Sequence, residues 1–120
     1  MRYKRDEPFR YTFGIPIPAS FKILKIENKM IDSSKGEAKI IDVSPEGAKL
    51  NSELELPSKP VQITITFKLN GKEFNVIGNV MWKKPVGVTF DYGIQLEIDE
   101  DHRRELIEHL KLFSKNAMDK

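Results

Sequence analysis

From Val61 the chain alternates without a break. Val61, Ile63, Ile65, Phe67 and Leu69 are apolar, and Gln62, Thr64, Thr66 and Lys68 between them are polar. A period of two puts the apolar set on one face of an extended strand. Asn70-Gly71 follows, the strongest short signal for a two-residue hairpin. The return strand carries Phe74, Val76, Gly78, Val80 and Trp82 at alternate positions, which predicts Trp82 in the core. Lys83 to Gly87 reads as a turn, and Val88, Phe90, Tyr92, Ile94, Leu96 and Ile98 then alternate again. Gly93 interrupts that run and predicts a bulge or a barrel corner.

The first half is patterned the same way. Ile15, Ile17, Ala19, Phe21 and Ile23 share one face, with Pro16 and Pro18 predicting an edge, a bend or partial pairing. Asn28 to Gly36 reads as a polar loop, and a second strand covers Ala38 to Val43. Ser44-Pro45-Glu46-Gly47 is a tight turn, in which Pro45 pre-sets φ and Gly47 tolerates the positive φ that often closes such turns. Ala48 to Leu50 begins the return strand, and Glu53 to Pro60 is an irregular connection.

After Ile98 the period changes. Asp99-Glu100-Asp101 supplies a cap and negative charge for a helix N-terminus. Leu106, Leu110, Phe113 and Ala117 then form one apolar stripe, with Ile107 beside it and fraying expected from Ser114. That stripe suits docking on its own barrel or pairing between chains. About six short alternating strands followed by one helix predict a mainly β fold, a small antiparallel β-barrel with a C-terminal α-helix. The expected division is an arm over 1–10, a barrel over 11–98 and a helix over 99–117, all one domain of 120 residues.

Composition narrows the function classes. Twenty basic and 18 acidic residues leave a net charge of +2, too balanced for a general binder of duplex nucleic acid. The absence of cysteine removes disulfides, thiol nucleophiles and cysteine metal sites. No apolar run is long enough to span a bilayer and no signal peptide is legible, so a cytoplasmic protein without membrane insertion is expected. No nucleophile elbow or P-loop is present, and no enzyme is expected. His102 and His109 lie about two helical turns, or ~10 Å, apart, too far for one metal ion, and read as solvated. A third class, a small barrel stacking single-stranded RNA or DNA on exposed aromatics, is disfavoured because Phe67, Phe74 and Trp82 are in phase with aliphatics.

Two features carry candidate chemistry. Residues 1–10 hold Arg2, Lys4, Arg5 and Arg10 against Asp6 and Glu7, a basic arm suited to an anion. Asp42 ends a strand, Ser44 opens the turn and Gly47 leaves its backbone open to close approach. Their two-residue spacing predicts Asp42 and Ser44 exposed on one face near the barrel rim. Asp42 and Ser44 also suit a purely local role, bonding the turn's own backbone.

Arm and turn together resemble the PilZ domain family, bacterial receptors for cyclic di-GMP. That family's pattern is Arg-x-x-x-Arg in an N-terminal arm, then Asp/Asn-x-Ser-x-x-Gly on a strand-turn of a six-stranded barrel. Asp42-x-Ser44-x-x-Gly47 matches fully, and Gly78 to Trp82 and Tyr92 to Leu96 resemble the last two barrel strands. In the arm, Arg5 fits the first and Arg10 the last arginine of the longer form Arg-Arg-x-x-x-Arg, while Asp6 stands where the second belongs. The resemblance implies cyclic di-GMP as ligand, with Arg5, Arg10, Asp42, Ser44 and Gly47 as the binding residues. It also implies an arm that orders on the ligand and changes contacts with a protein partner. The alternative it leaves open is an adaptor of the same fold that no longer binds the nucleotide and acts through protein contacts alone.

Overall fold

The computed structural model describes residues 10–118 except 32 and 45, with side chains through residue 115. The arm apart from Arg10, and with it Arg5 and Asp6, lies outside the described residues, as do Pro45 and the side chain of Ala117.

The strands are β1 (Tyr11–Ile26), β2 (Lys29–Met30), β3 (Gly36–Val43), β4 (Gly47–Ser52), β5 (Val61–Leu69), β6 (Lys72–Val86) and β7 (Thr89–Glu97), followed by helix α1 (Glu100–Met118). All pairings are antiparallel. The six long strands run β1-β3-β4-β7-β6-β5, and β5 pairs back onto β1 to close the barrel. Closure removes the exposed edges that an open sheet of this composition would present. The two-residue β2 extends β1 from within the stretch expected to be loop, after a turn in which Glu27 takes a φ of 56°.

The β5–β6 hairpin forms as its pattern predicts. Asn70 and Gly71 both adopt positive φ, 54° and 81°, the requirement of a two-residue turn that follows the strands' twist. Val61, Ile63, Ile65, Phe67 and Leu69 are all buried, and Phe67 stacks on Phe74 at 5.5 Å.

Four register shifts break the alternation elsewhere, one of them between Ile23 and Lys25 where β1 pairs with β5. In β1 the register slips between Thr12 and Ile17, where Gly14 and Pro16 interrupt the ladder, so Ile15 is 85% exposed instead of facing inward. In β3 it slips between Ile40 and Asp42, so Ile41 is the extra residue and Asp42 leaves the inward phase of Ala38 and Ile40. In β6 it slips between Val80 and Trp82, and Trp82 is 46% exposed rather than in the core. Strand β6 also runs through the expected turn at Lys83 and reverses only at Gly87-Val88. Pro85, opposite Phe90 of β7, is tolerated there because β5 pairs with β6 no farther than Asn79 and leaves that edge of the strand free.

Helix α1 closes one end of the barrel on its own chain. Leu106 and Leu110 are fully buried, and Phe113 packs edge-on against Tyr11 at 6.0 Å and Phe13 at 5.4 Å. Asp99 caps it, accepting from the His102 backbone N–H at 2.8 Å. That bond, first among the causes, holds the Asp99 carboxyl below its ordinary value. Lys72 bonds Glu105 at 2.9 Å, tying helix to β6 and lowering the Glu105 pKa. His109, expected to be solvated, is half-buried edge-on to Phe74 at 5.4 Å, with its carbonyl accepting from Asn70 Nδ2 at 2.9 Å. The helix continues past Ser114 to Met118. Near the Glu53 to Pro60 connection, the Tyr92 hydroxyl donates to the Leu54 carbonyl at 2.6 Å and accepts from the Leu56 N–H at 2.8 Å. Burial raises the Tyr92 phenol above its ordinary value.

Candidate functional site

Strand register builds the site. Thr12 pairs with Asp42, Asp42 with Lys49, Lys49 with Gly93, and Gly93 with Trp82. Residues directly opposite in antiparallel strands project from the same face. A single row across five strands therefore sets a carboxylate, an ammonium, a bare backbone position and an indole side by side on the outer wall. The β3 bulge turns Asp42 into this row, and the β6 bulge turns Trp82 into it.

Trp82 is held by what Gly93 lacks. A Cβ on Gly93 would lie 2.0 Å from Trp82 Nε1 and 2.2 Å from Cε2, so the indole rests on the glycine backbone. Arg10, just before β1, donates from Nη1 to Asp42 Oδ1. Asp42 has 14% of its side chain exposed and Arg10 50%. Lys49 Nζ lies 3.9 Å from Asp91.

The turn after β3 is a closed unit. Ser44 N–H donates to the Gly47 carbonyl at 2.8 Å. The Ser44 hydroxyl accepts from the N–H of Gly47 at 3.1 Å and of Glu46 at 3.4 Å, and donates to the Gly47 carbonyl at 3.3 Å. The Glu46 carbonyl accepts from Leu96 N–H at 2.9 Å, stitching the turn to β7. Ser44 is accordingly 1% exposed, which corrects the expectation that it stands exposed beside Asp42. The local reading of its hydroxyl describes its bonds, because the turn's own amides use the oxygen. Gly47 has no positive φ; its small size is needed because a Cβ would meet the Ile94 carbonyl oxygen at 2.9 Å.

Arg10, Asp42, Gly47, Lys49, Trp82 and Gln95 line one shallow hollow of about 270 Å³. That is just under the ~300 Å³ where small-molecule sites usually begin. Arg10 and Lys49 in it are balanced by Asp42 and Glu46. A larger hollow of about 920 Å³ crosses β1, β3, β4 and β5, but it holds none of the motif residues and mixes Lys35, Lys39 and Lys68 with Glu37, Glu53 and Glu73. Among the described residues no three side chains gather to hold a metal ion, and no helix is long and apolar enough to cross a membrane.

The sequence therefore brings Arg10, Asp42 and Gly47 to one place, leaves Ser44 beneath it, and misses Trp82, Lys49 and Gln95. A signal for Trp82 was present: Lys83 and Lys84 follow it, and strict alternation would have sent Lys84 inward with it.

The model of the PilZ domain family matches residues 2–112. The chain belongs to the PilZ domain family. Solved PilZ domains share the fold. One is the PilZ domain with c-di-GMP of YcgR from Escherichia coli, 14% identical with a TM-score of 0.69, covering 97% of this chain and 96% of that one. Another is the PilZ domain of CeSA from a cellulose-synthesizing bacterium, 17% identical with a TM-score of 0.57, covering 91% of this chain and 98% of that one. No curated protein matches. In this PilZ chain the segment Asp42 to Gly47 joins the end of β3 to the start of β4, against the hollow described above.

Proposed function

We propose that this PilZ domain is a receptor for cyclic di-GMP, a regulatory module rather than an enzyme. The observation that carries the reading is the convergence of Arg10, Asp42, Gly47, Lys49 and Trp82 on one hollow at the family's strand-turn. The solved PilZ domain of YcgR, which carries c-di-GMP, supports it.

Each residue type answers a part of the ligand. A guanidinium forks onto phosphodiester oxygens or onto guanine O6 and N7, a role for Arg10 and, from the arm, Arg5. The Asp42 carboxylate accepts from guanine N1–H and the N2 amine. The Trp82 indole offers a stacking face, and such base–aromatic contacts are worth ~1–3 kcal/mol each. Lys49 adds a positive charge in the same row. Gly47 keeps the turn close against the Ile94 carbonyl of β7, at the floor of the hollow. Ser44 acts as a positioning residue, holding the turn that presents Gly47. Ligand then orders the arm, and the altered surface is read by a protein partner in the cytoplasm.

Calorimetric titration of the full chain with cyclic di-GMP tests the reading. Saturable binding that Arg10→Ala weakens supports it, and the absence of any heat at high ligand concentration overturns it. In that second case the nucleotide-free adaptor stands. It is favoured by Asp6 in the arm and by the equal numbers of positive and negative groups in the hollow.

A further inference from the structure

Arg10 and Asp42 already hold each other. Arg10 Nη1 donates to Asp42 Oδ1, and among the described residues Asp42 makes no other side-chain hydrogen bond. Lys49, its neighbour in the row, lies instead near Asp91. The carboxylate assigned to a guanine edge is thus the partner of the guanidinium assigned to a phosphodiester. A ligand that draws either group out of this contact takes it from the other.

Resting on the receptor reading, we propose that the Arg10–Asp42 pair is a discriminating latch, with Asp42 setting base specificity through Arg10 as well as by direct contact. A phosphodiester that draws Arg10 away leaves a largely covered carboxylate without its cation, beside a new anion. The half-exposed pair adds little to folding by itself, but a phosphodiester set beside the carboxylate whose cation it has taken is repelled by it. Guanine repairs the loss: N1–H and the N2 amine give the carboxylate two donors in one plane. Adenine presents a lone pair at N1 in place of N–H, so the carboxylate faces a second acceptor. A free phosphate offers nothing at all. The latch therefore opens only to a ligand that brings a phosphodiester and a guanine edge together. A site whose polar group is left unpaired by the wrong ligand rejects it far more strongly than an apolar pocket does.

The latch and a simple contact differ in one respect. If Asp42 only touches the base, removing it harms the guanine ligand and relieves the repulsion of adenine N1 to the same extent with or without Arg10. If Asp42 also restrains Arg10, the gain of the wrong ligand comes from the freed guanidinium and is lost when Arg10 is removed as well. The test is calorimetric titration of the native full chain, Asp42→Ala, Arg10→Ala and the double variant with cyclic di-GMP and with cyclic di-AMP, a cycle that isolates the coupling between the two side chains. Alanine is preferred because it brings no donors of its own to adenine. The expected result is native discrimination on the order of 100-fold or more. In Asp42→Ala, cyclic di-GMP weakens by roughly 10- to 100-fold while cyclic di-AMP tightens by roughly 10-fold. Should the alanine chain fail to fold, Asp42→Val, suited to a strand and equally without donors, is expected to show the same gain. A cyclic di-AMP gain that is absent, or equally large when Asp42 is removed from the Arg10→Ala chain, overturns the latch and leaves the receptor reading intact. No binding of cyclic di-GMP by the native chain overturns both.

Discussion

Substituting Gly93→Ala separates the site from the barrel beneath it. The added methyl would sit 2.0 Å from Trp82 Nε1, 2.2 Å from Cε2 and 2.7 Å from Cδ1. No rearrangement within the row accommodates that overlap, so the indole swings off the glycine toward solvent. The fold has little at stake, because the ring is 46% exposed and the methyl meets no main chain among its nearest atoms. Gly93 carries no positive φ, so alanine is conformationally permitted and recovers ~0.4–1 kcal/mol of unfolded-state entropy. The indole gives up packing of comparable size. Thermal unfolding should therefore shift by no more than about 5 °C in either direction. Binding is another matter: a base that stacks on the displaced ring loses ~1–3 kcal/mol, or roughly 5- to 150-fold in dissociation constant for cyclic di-GMP. Differential scanning calorimetry and titration calorimetry on one preparation read both quantities. Affinity within twofold of native would refute Trp82 as a platform. A fall in unfolding temperature well beyond 5 °C would show that Gly93 serves the barrel instead.

Four further outcomes are expected. Arg10→Ala should weaken cyclic di-GMP binding by ~1.5–3 kcal/mol in titration calorimetry while leaving the unfolding temperature nearly unchanged, since a half-exposed ion pair adds little stability. Asp6→Arg restores the arginine of the family pattern and should tighten the same titration by roughly 10- to 100-fold, and an unchanged affinity would assign that role to Arg5. Tyr92→Phe leaves the Leu56 N–H and the Leu54 carbonyl without their shared partner, at a cost of ~1–3 kcal/mol measured by urea unfolding. Asp99 has a folded-state pKa below its unfolded value, so its contribution is present above the unfolded pKa and is lost as pH falls through the lowered one; unfolding temperatures of native and Asp99→Asn chains should differ at neutral pH and converge in acid.

Much of the architecture was legible because alternation is a direct record of which face is buried. The run from Val61 to Leu69, the Asn70-Gly71 turn and the cap at Asp99 all stand where their patterns put them. Alternation fails wherever one extra residue enters a strand, since parity beyond that point is reversed. Trp82 was misassigned for that reason, and Ile15 fell in the break of β1. Asp42 reaches the outer wall only because Ile41 is the extra residue of β3. Ser44 was misread differently: its spacing from Asp42 is that of a strand, but the chain has already begun to turn and its hydroxyl is folded under the amides of Glu46 and Gly47. Lys49 and Gln95 carry no local signal, because their place in the hollow is set by pairing with strands far along the chain.

The indole resting on Gly93 is also the chain's single tryptophan. Ultraviolet emission excited selectively at the red edge thus comes from one address on the molecule, the wall of the hollow, with no label attached. Its surroundings are half solvent in the free protein, so an occupant covering the ring changes colour and intensity together. Occupancy can then be followed in one cuvette without a label, and a substitution that empties the hollow is recognised when the emission no longer answers to added ligand.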